Sequence, residues 1–223
     1  MIGSASFNPN LVTDFTVCDP ICLDPNFPFE QSVTHFISGG AVVHATIWIA
    51  QGSAPRGTAI LAPQWYGGDR LESLIIPMMA SGINVMTFHP RGMWDNQHIY
   101  SLNSATDDLI AAAAFVRSTA DAGITTPGGR PWSTDPARIA VMGLSGGGGQ
   151  VSLTACSEDP EIMAAIAMAP NSLLTPASPE TLARLMPAFN ATKVHTAGRI
   201  DMERSMLAMT EDDNEGVFGA PPP

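Results

Sequence analysis

The sequence predicts an α/β protein in which a mostly parallel sheet is covered by helices on both faces. Two observations favour this class. After residue 50, short apolar runs alternate with helical segments, and this alternation is typical of parallel strands joined by crossover helices. Before them, residues 34–50 hold two strand-like runs separated by Gly39-Gly40, which predicts an antiparallel hairpin at the start of the sheet.

The predicted elements follow one another along the chain. Residues 1–30 are rich in Pro, Asn and Asp and predict an irregular N-terminal arm. The predicted strands are THFISG, AVVHATIWIA, RGTAILAP, INVMTF, ARIAVMG and AAIAMAP. One helix is expected over DRLESLIIPMMASG, a second opens at Ser104 and runs through ATDDLIAAAAFVRSTADAG, and a third follows Ser145. Residues 31–171 therefore form the α/β core, and residues 172–223 are a lid or a remnant C-terminal region.

Composition excludes several classes of function. The chain has 223 residues, 10 of them Lys or Arg against 21 Asp or Glu, so its net charge is −11. The electrostatic field of this negative charge repels nucleic-acid phosphates and anionic lipids, so we expect neither a nucleic acid nor a membrane as partner. No apolar stretch has the length of a membrane span, and the N-terminus lacks the basic and apolar regions of a signal peptide. A cytoplasmic protein is the resulting expectation.

The cysteines predict neither a disulfide scaffold nor a zinc site, because their number is odd and their spacing has no pattern. Cys18 and Cys22 can pair or stay as two thiols, while Cys156 lies in an apolar helical stretch and is expected to fill the core. The spacing of His and acidic residues predicts no metal site. There is no cofactor motif, so no cofactor is expected.

The strongest chemical signal is Gly143-Leu-Ser145-Gly146-Gly147, which lies between an apolar strand and a helix. This is the G-x-S-x-G pattern of a nucleophile elbow, in which glycines allow a sharp, strained reversal and the serine hydroxyl stands above the sheet. The N–H of Gly146 and the helix N-terminus would stabilise an oxyanion. A tight turn with an incidental serine is one alternative; a dinucleotide-binding loop is another, but its G-x-G-x-x-G spacing is absent.

A second oxyanion donor is expected from the loop APQWYGGD, residues 62–69, which directly follows a strand. Hydrolases that use this serine turn take a donor from that loop. The candidates are Trp65 and Tyr66, through a backbone N–H or through the Tyr66 hydroxyl. Their rings can also pack against an acyl group or simply cap the core.

From about residue 33 to residue 171 the chain resembles an α/β-hydrolase of the dienelactone hydrolase and prolyl-oligopeptidase-like kind. The resemblance rests on the order of the hairpin, the loop PQWYGGD, the arginine-glycine turn HPRGMWDN, the acidic helix opening ATDDL and the segment STDPARIAVMGLSGGG. The chain departs from the pattern at Pro63-Gln64, where His-Gly is frequent, and at His89, where an acidic residue is common. The resemblance implies a serine hydrolase with a triad in the order serine, acid, histidine.

The acid and the base of that triad are harder to place. Asp201 is the candidate acid if TKVHTA is the seventh strand, because GRID would then be the G-x-x-D turn of the family. TKVHTA is a poor buried strand, however, which favours a lid built from SPETLARLMPAF and DMERSMLAM. No histidine follows Asp201. The remaining candidate bases are His195 and His89, since His35 and His44 are expected to lie far from the strand ends.

The sequence thus favours a serine hydrolase, a carboxylesterase that cleaves small to medium uncharged acyl esters through an acyl-enzyme on Ser145. The missing histidine favours a hydrolase that lacks its last two strands and is completed by another chain or by further residues. A homo-oligomer is the alternative assembly. The alternative function is a non-catalytic, hydrolase-like binding module that lacks the triad histidine.

Overall fold

The structure, a computed structural model, describes residues 26–63, 71–93, 96, 98 and 100–169. The strands are β1 (Glu30–Ser38), β2 (Ala41–Ile49), β3 (Arg56–Ala62), β4 (Asn84–Phe88), β5 (Thr134–Leu144) and β6 (Ala164–Met168). The helices are α1 (Glu72–Ala80), α2 (Leu102–Thr119) and α3 (Gln150–Glu158).

The strands form one sheet in the order β1-β2-β4-β3-β5-β6. β4, β3, β5 and β6 run parallel, whereas β2 is antiparallel to both of its neighbours. The predicted class, a mostly parallel sheet with an antiparallel hairpin at its start, is confirmed. Within the described residues, no helix combines the length and the apolar character needed to cross a bilayer.

The hairpin is closed by the two-residue turn Gly39-Gly40. Both glycines have positive φ, 52° and 78°, as a turn whose twist matches that of the flanking strands requires. The register continues without a shift from the pair Ser38–Ala41 to the pair Glu30–Ile49. The Gly-Gly signal in the sequence therefore predicted the hairpin correctly.

Helices cover the sheet on both faces. α2 and α3 bury one face, and the largest apolar side chains of that core include Phe88, Met86, Met93, Tyr100 and Leu109. α1 covers part of the other face, with a smaller core of Leu61, Leu71, Ile75, Met79 and Val85. Because successive strand residues point to opposite faces, Ile60 belongs to the first core and Leu61 to the second.

Helix α2 begins earlier than the sequence predicts. Its N-cap is Ser101, whose hydroxyl accepts a hydrogen bond of 3.1 Å from the Ser104 N–H, while the Ser104 hydroxyl accepts one of 2.8 Å from the Ser101 N–H. Ser104 is thus the third residue of the helix and not its opening. A serine at that position completes the reciprocal capping box that Glu or Gln more often forms, so the usual signal is absent from the sequence.

A buried ion pair joins α2 to the turn after β4. Arg91 donates from its backbone N–H to one Asp108 oxygen at 2.7 Å and from Nε to the other at 2.6 Å. Its guanidinium also donates to the Ser104 carbonyl oxygen at 3.2 Å. The same guanidinium lies under the hairpin, where a Cβ atom at Gly39 would lie 1.7 Å from Nη1. One cation therefore holds three segments together.

The carboxyl group of Asp108 is fully buried. Burial raises the pKa of Asp108 above its ordinary value, against the hydrogen bonds from Ser38 and Arg91 and the Arg91 charge, which lower it. Its ionised form therefore depends on these donors. Without the Arg91 cation, the buried group would favour protonation.

We expect Arg91→Met to lower the free energy of unfolding by about 3–5 kcal/mol, because it leaves the Asp108 carboxylate buried without its cation. Since a raised pKa favours the neutral acid, the loss should be smaller in mildly acidic than in mildly alkaline buffer. Urea unfolding at both pH values measures it. The double variant Arg91→Met/Asp108→Leu should recover part of the stability; a loss below about 1 kcal/mol for Arg91→Met would contradict the assignment.

Candidate active site

Ser145 lies at the point where β5 ends, at the carboxyl edge of the parallel strands. Its side chain is exposed and its φ is 65°, in the left-handed region that non-glycine residues rarely adopt. A wide helical turn, Ser145–Gly149, then leads into α3. Strained backbone of this kind is concentrated at functional sites, where the surrounding packing holds it in place.

Two glycines make this turn fit its surroundings. A Cβ atom at Gly143 would lie 2.0 Å from the Gly148 carbonyl oxygen, and one at Gly148 would lie 2.5 Å from the Ala62 carbonyl oxygen and 2.9 Å from that of Pro63. No side chain fits at either position. The requirement for glycine at position 148 was not predicted from the sequence, although the four consecutive glycines 146–149 are a signal for it.

The same contacts bring the loop after β3 to the serine turn. Ala62, the last residue of β3, pairs with Gly143 of β5, and the carbonyl oxygen of Pro63 borders Gly148. The predicted oxyanion loop therefore starts beside the turn that carries Ser145. Ser145 and Gly146 are adjacent in that turn, while Trp65, Tyr66, His195 and Asp201 lie outside the residues that the structure describes.

The histidines near the catalytic edge are arranged differently from the prediction. The His89 N–H donates to the His44 carbonyl oxygen at 3.2 Å, so His44 lies level with the end of β4. The expectation that His44 is far from the strand ends is wrong. Because β2 runs antiparallel to β4, residues early in β2 share an edge with residues that follow β4. His35 is paired with His44 on the neighbouring strand, so the same expectation for His35 is also wrong.

His89 does not stand beside Ser145. β3 separates β4 from β5, which puts the two backbones about 10 Å apart. The position of His89 is further fixed by its N–H bond to His44 and by its carbonyl oxygen, which accepts from the Asn96 amide. Among the residues that the structure describes, none forms a hydrogen bond with the Ser145 hydroxyl, and no group of three or more His, Cys, Asp or Glu could hold a metal ion.

Arg91 is the arginine of the arginine-glycine turn HPRGMWDN. Its guanidinium is buried and is occupied by Asp108, Asp107 and the Ser104 carbonyl oxygen. It serves the fold and is not free to bind an anionic substrate.

No family model matches the sequence, and no curated protein matches it. Solved structures do match, and α/β hydrolases and esterases are among them. The chain has the α/β-hydrolase fold.

Three of these structures illustrate the similarity. The α/β hydrolase GrgF from Penicillium sp. sh18 is 21% identical with a TM-score of 0.54, over 76% of this chain and 55% of its own. The hyperthermophilic esterase from Pyrobaculum calidifontis is 17% identical with a TM-score of 0.55, over 74% and 57%. EstE1, a carboxylesterase cloned from a metagenomic library, is 16% identical with a TM-score of 0.55, over 83% and 66%. The chain therefore spans less than two thirds of each.

We expect Gly143→Ala to lower the free energy of unfolding by about 4 kcal/mol or more, because the new methyl group meets backbone that cannot rotate away. Gly123→Ala is the matched control: Gly123 has a positive φ of 62° but open space around it, so that change should cost only about 1–2 kcal/mol. Denaturant unfolding of both variants measures the difference. An equal loss of unfolding free energy in the two variants would show that the backbone at Gly143 has room for a methyl group.

Proposed function

We propose that the protein is a serine hydrolase, a carboxylesterase that cleaves small to medium uncharged acyl esters through Ser145. The observation that carries this proposal is the exposed serine with φ 65° at the carboxyl end of β5. In open α/β sheets, ligands bind beyond the carboxyl ends of the strands. The turn has the G-x-S-x-G sequence and the strained backbone expected of a nucleophile elbow.

The proposed reaction has two steps. The Ser145 oxygen attacks the ester carbonyl carbon as its proton passes to a base, and the alcohol leaves with that proton to give an acyl-enzyme. Water then attacks the acyl carbon, its proton passes to the base and on to the Ser145 oxygen, and the carboxylic acid is released. The Gly146 N–H and a donor from Trp65 or Tyr66 are proposed to stabilise the negative oxygen in each tetrahedral intermediate.

The base is the unassigned part of this scheme. Asp201 is the proposed acid, and the candidate bases are His195, His89 or a histidine of a completing chain. The strand spacing between β4 and β5 disfavours His89, because a base must come within hydrogen-bond reach of the serine hydroxyl. Separate His195→Ala and His89→Ala variants would distinguish the first two.

An uncharged substrate agrees with the charges of the protein. The Arg91 guanidinium is engaged by Asp108, and the net charge of −11 repels anions. An ester whose acyl group carries a carboxylate therefore has no described partner near Ser145.

We expect a fluorophosphonate probe to label the folded protein, and we expect Ser145→Ala to abolish the labelling because the probe reacts only with an activated serine. Ser152→Ala is the matched control, since Ser152 is a fully buried serine seven residues further along the chain, in α3. It should be labelled like the parent. Labelling that persists in Ser145→Ala would assign the nucleophile elsewhere.

A neutral butyrate ester should be cleaved with kcat/KM at least about tenfold higher than a dicarboxylate half-ester of the same alcohol, because the field of the protein opposes the second substrate. Raising the salt concentration should reduce the difference in kcat/KM between the two esters, since salt screens the repulsion. Equal rates at low salt would indicate a cation in the site and contradict the proposed substrate class.

One observation favours a second function, a hydrolase-like module that binds a small molecule without catalysis. In the described part of the chain, no side chain activates the Ser145 hydroxyl. A well-folded sample that the fluorophosphonate does not label, and that hydrolyses no ester, would support this binding module over the esterase.

A further inference from the structure

We propose that the protein forms a two-fold symmetric dimer in which β1 of one copy pairs antiparallel with β1 of a second copy. β1 is the outermost strand of the sheet among the described residues, with β2 on its inner side. The proposal does not depend on the catalytic role of Ser145.

The hairpin turn fixes which groups of β1 face outward. In a two-residue turn, the flanking residues form a hydrogen-bonded pair, here Ser38 and Ala41. Hydrogen-bonded and non-hydrogen-bonded pairs then alternate along the strands. Four residues of β1 consequently direct their N–H and C=O groups away from β2, toward the free edge: Gln31, Val33, His35 and Ile37.

This edge lacks the features that normally prevent pairing. The strand EQSVTHFIS contains no Pro, Lys or Arg, and its register with β2 has no bulge. Two of its apolar side chains are also open to solvent, with Val33 75% and Ile37 60% exposed. Natural edge strands are usually guarded by such charges, prolines or bulges, so this one is suited to receive another strand.

The strand is complementary to itself. When two copies pair with Thr34 opposite Thr34, Val33 falls opposite His35 and Gln31 opposite Ile37. All the outward residues then meet one another in hydrogen-bonded pairs, along the full length of β1. A register centred on His35 would instead leave Gln31 beyond the paired region. Because β1 fits a second β1 in this way, we infer that the strand that pairs with it belongs to a second copy of the chain.

The size of the contact sets its strength. A nine-residue strand is about 30 Å long, and one strand pair with its exposed side chains buries less than the roughly 800 Å² per partner of a standard interface. We therefore expect a reversible dimer with a dissociation constant in the micromolar range. Closed two-fold pairing also covers the edge on both copies, so β1 does not build an open-ended filament.

The first test is sedimentation velocity of the full chain over a concentration series. Val33→Pro removes an outward N–H that pairs with no described residue of the monomer, and an edge strand tolerates such a change. It should raise the dissociation constant by about tenfold or more, since the change occurs in both copies. Val33→Ala keeps the N–H and should retain most of the association. Val42→Ala alters an exposed residue of β2 that is off the edge, and should leave the constant unchanged. Thermal unfolding confirms that each variant is folded.

The second test fixes the register. Thr34→Cys should form a disulfide-linked dimer under mild oxidation, because the proposed centre places its two copies in a non-hydrogen-bonded pair close enough for a disulfide. Glu30→Cys, at the strand end, should form no more disulfide-linked dimer than the parent protein forms through its own cysteines. A monomer at every concentration, an association insensitive to Val33→Pro, or equal crosslinking of both variants would overturn the proposal. So would a monomer that pairs only with an added extended peptide.

Discussion

The close approach of three backbone segments around Gly148 is the constraint on which the candidate site depends. Gly148 touches Gly143 at the end of β5 and the carbonyl oxygens of Ala62 and Pro63 at the end of β3. Because these contacts involve backbone atoms, no change of side-chain rotamer can make room for a residue larger than glycine. They hold the end of β5 and the turn in one position, and the left-handed conformation of Ser145 is a consequence of that position.

A second constraint acts on the opposite half of the sheet. The buried Arg91–Asp108 pair connects the turn after β4 to α2, and its guanidinium excludes any side chain at Gly39 in the hairpin turn. A buried pair of this kind contributes less to stability than its contacts suggest, because two charges lose their hydration. Its effect is to fix where the hairpin, the turn and the helix meet. This structural use of the arginine is also why it is unavailable to a substrate.

The carboxyl ends of the parallel strands and the outermost described strand, β1, differ in chemistry. The carboxyl edge of the parallel strands carries the exposed serine and the start of the β3 loop, which is where ligands bind in this fold. Among the described residues, the outer strand β1 carries backbone groups that pair with no further strand, and it carries the exposed side chains of Val33 and Ile37. The proposed hydrolytic site and the proposed dimer surface are compatible, because three strands lie between β1 and β5 in the sheet.

The fold class, the hairpin and the serine turn could be predicted from the sequence, because apolar periodicity, Gly39-Gly40 and G-x-S-x-G are local patterns that reflect local backbone geometry. The start of α2 was missed, because Ser104 replaces the usual capping residue. Three further facts could not be predicted: that His44 lies level with His89, that Gly148 is as constrained as Gly143, and that the Arg91 guanidinium is paired with Asp108. They depend on strand register and on contacts between residues distant in the chain, which no local sequence pattern specifies.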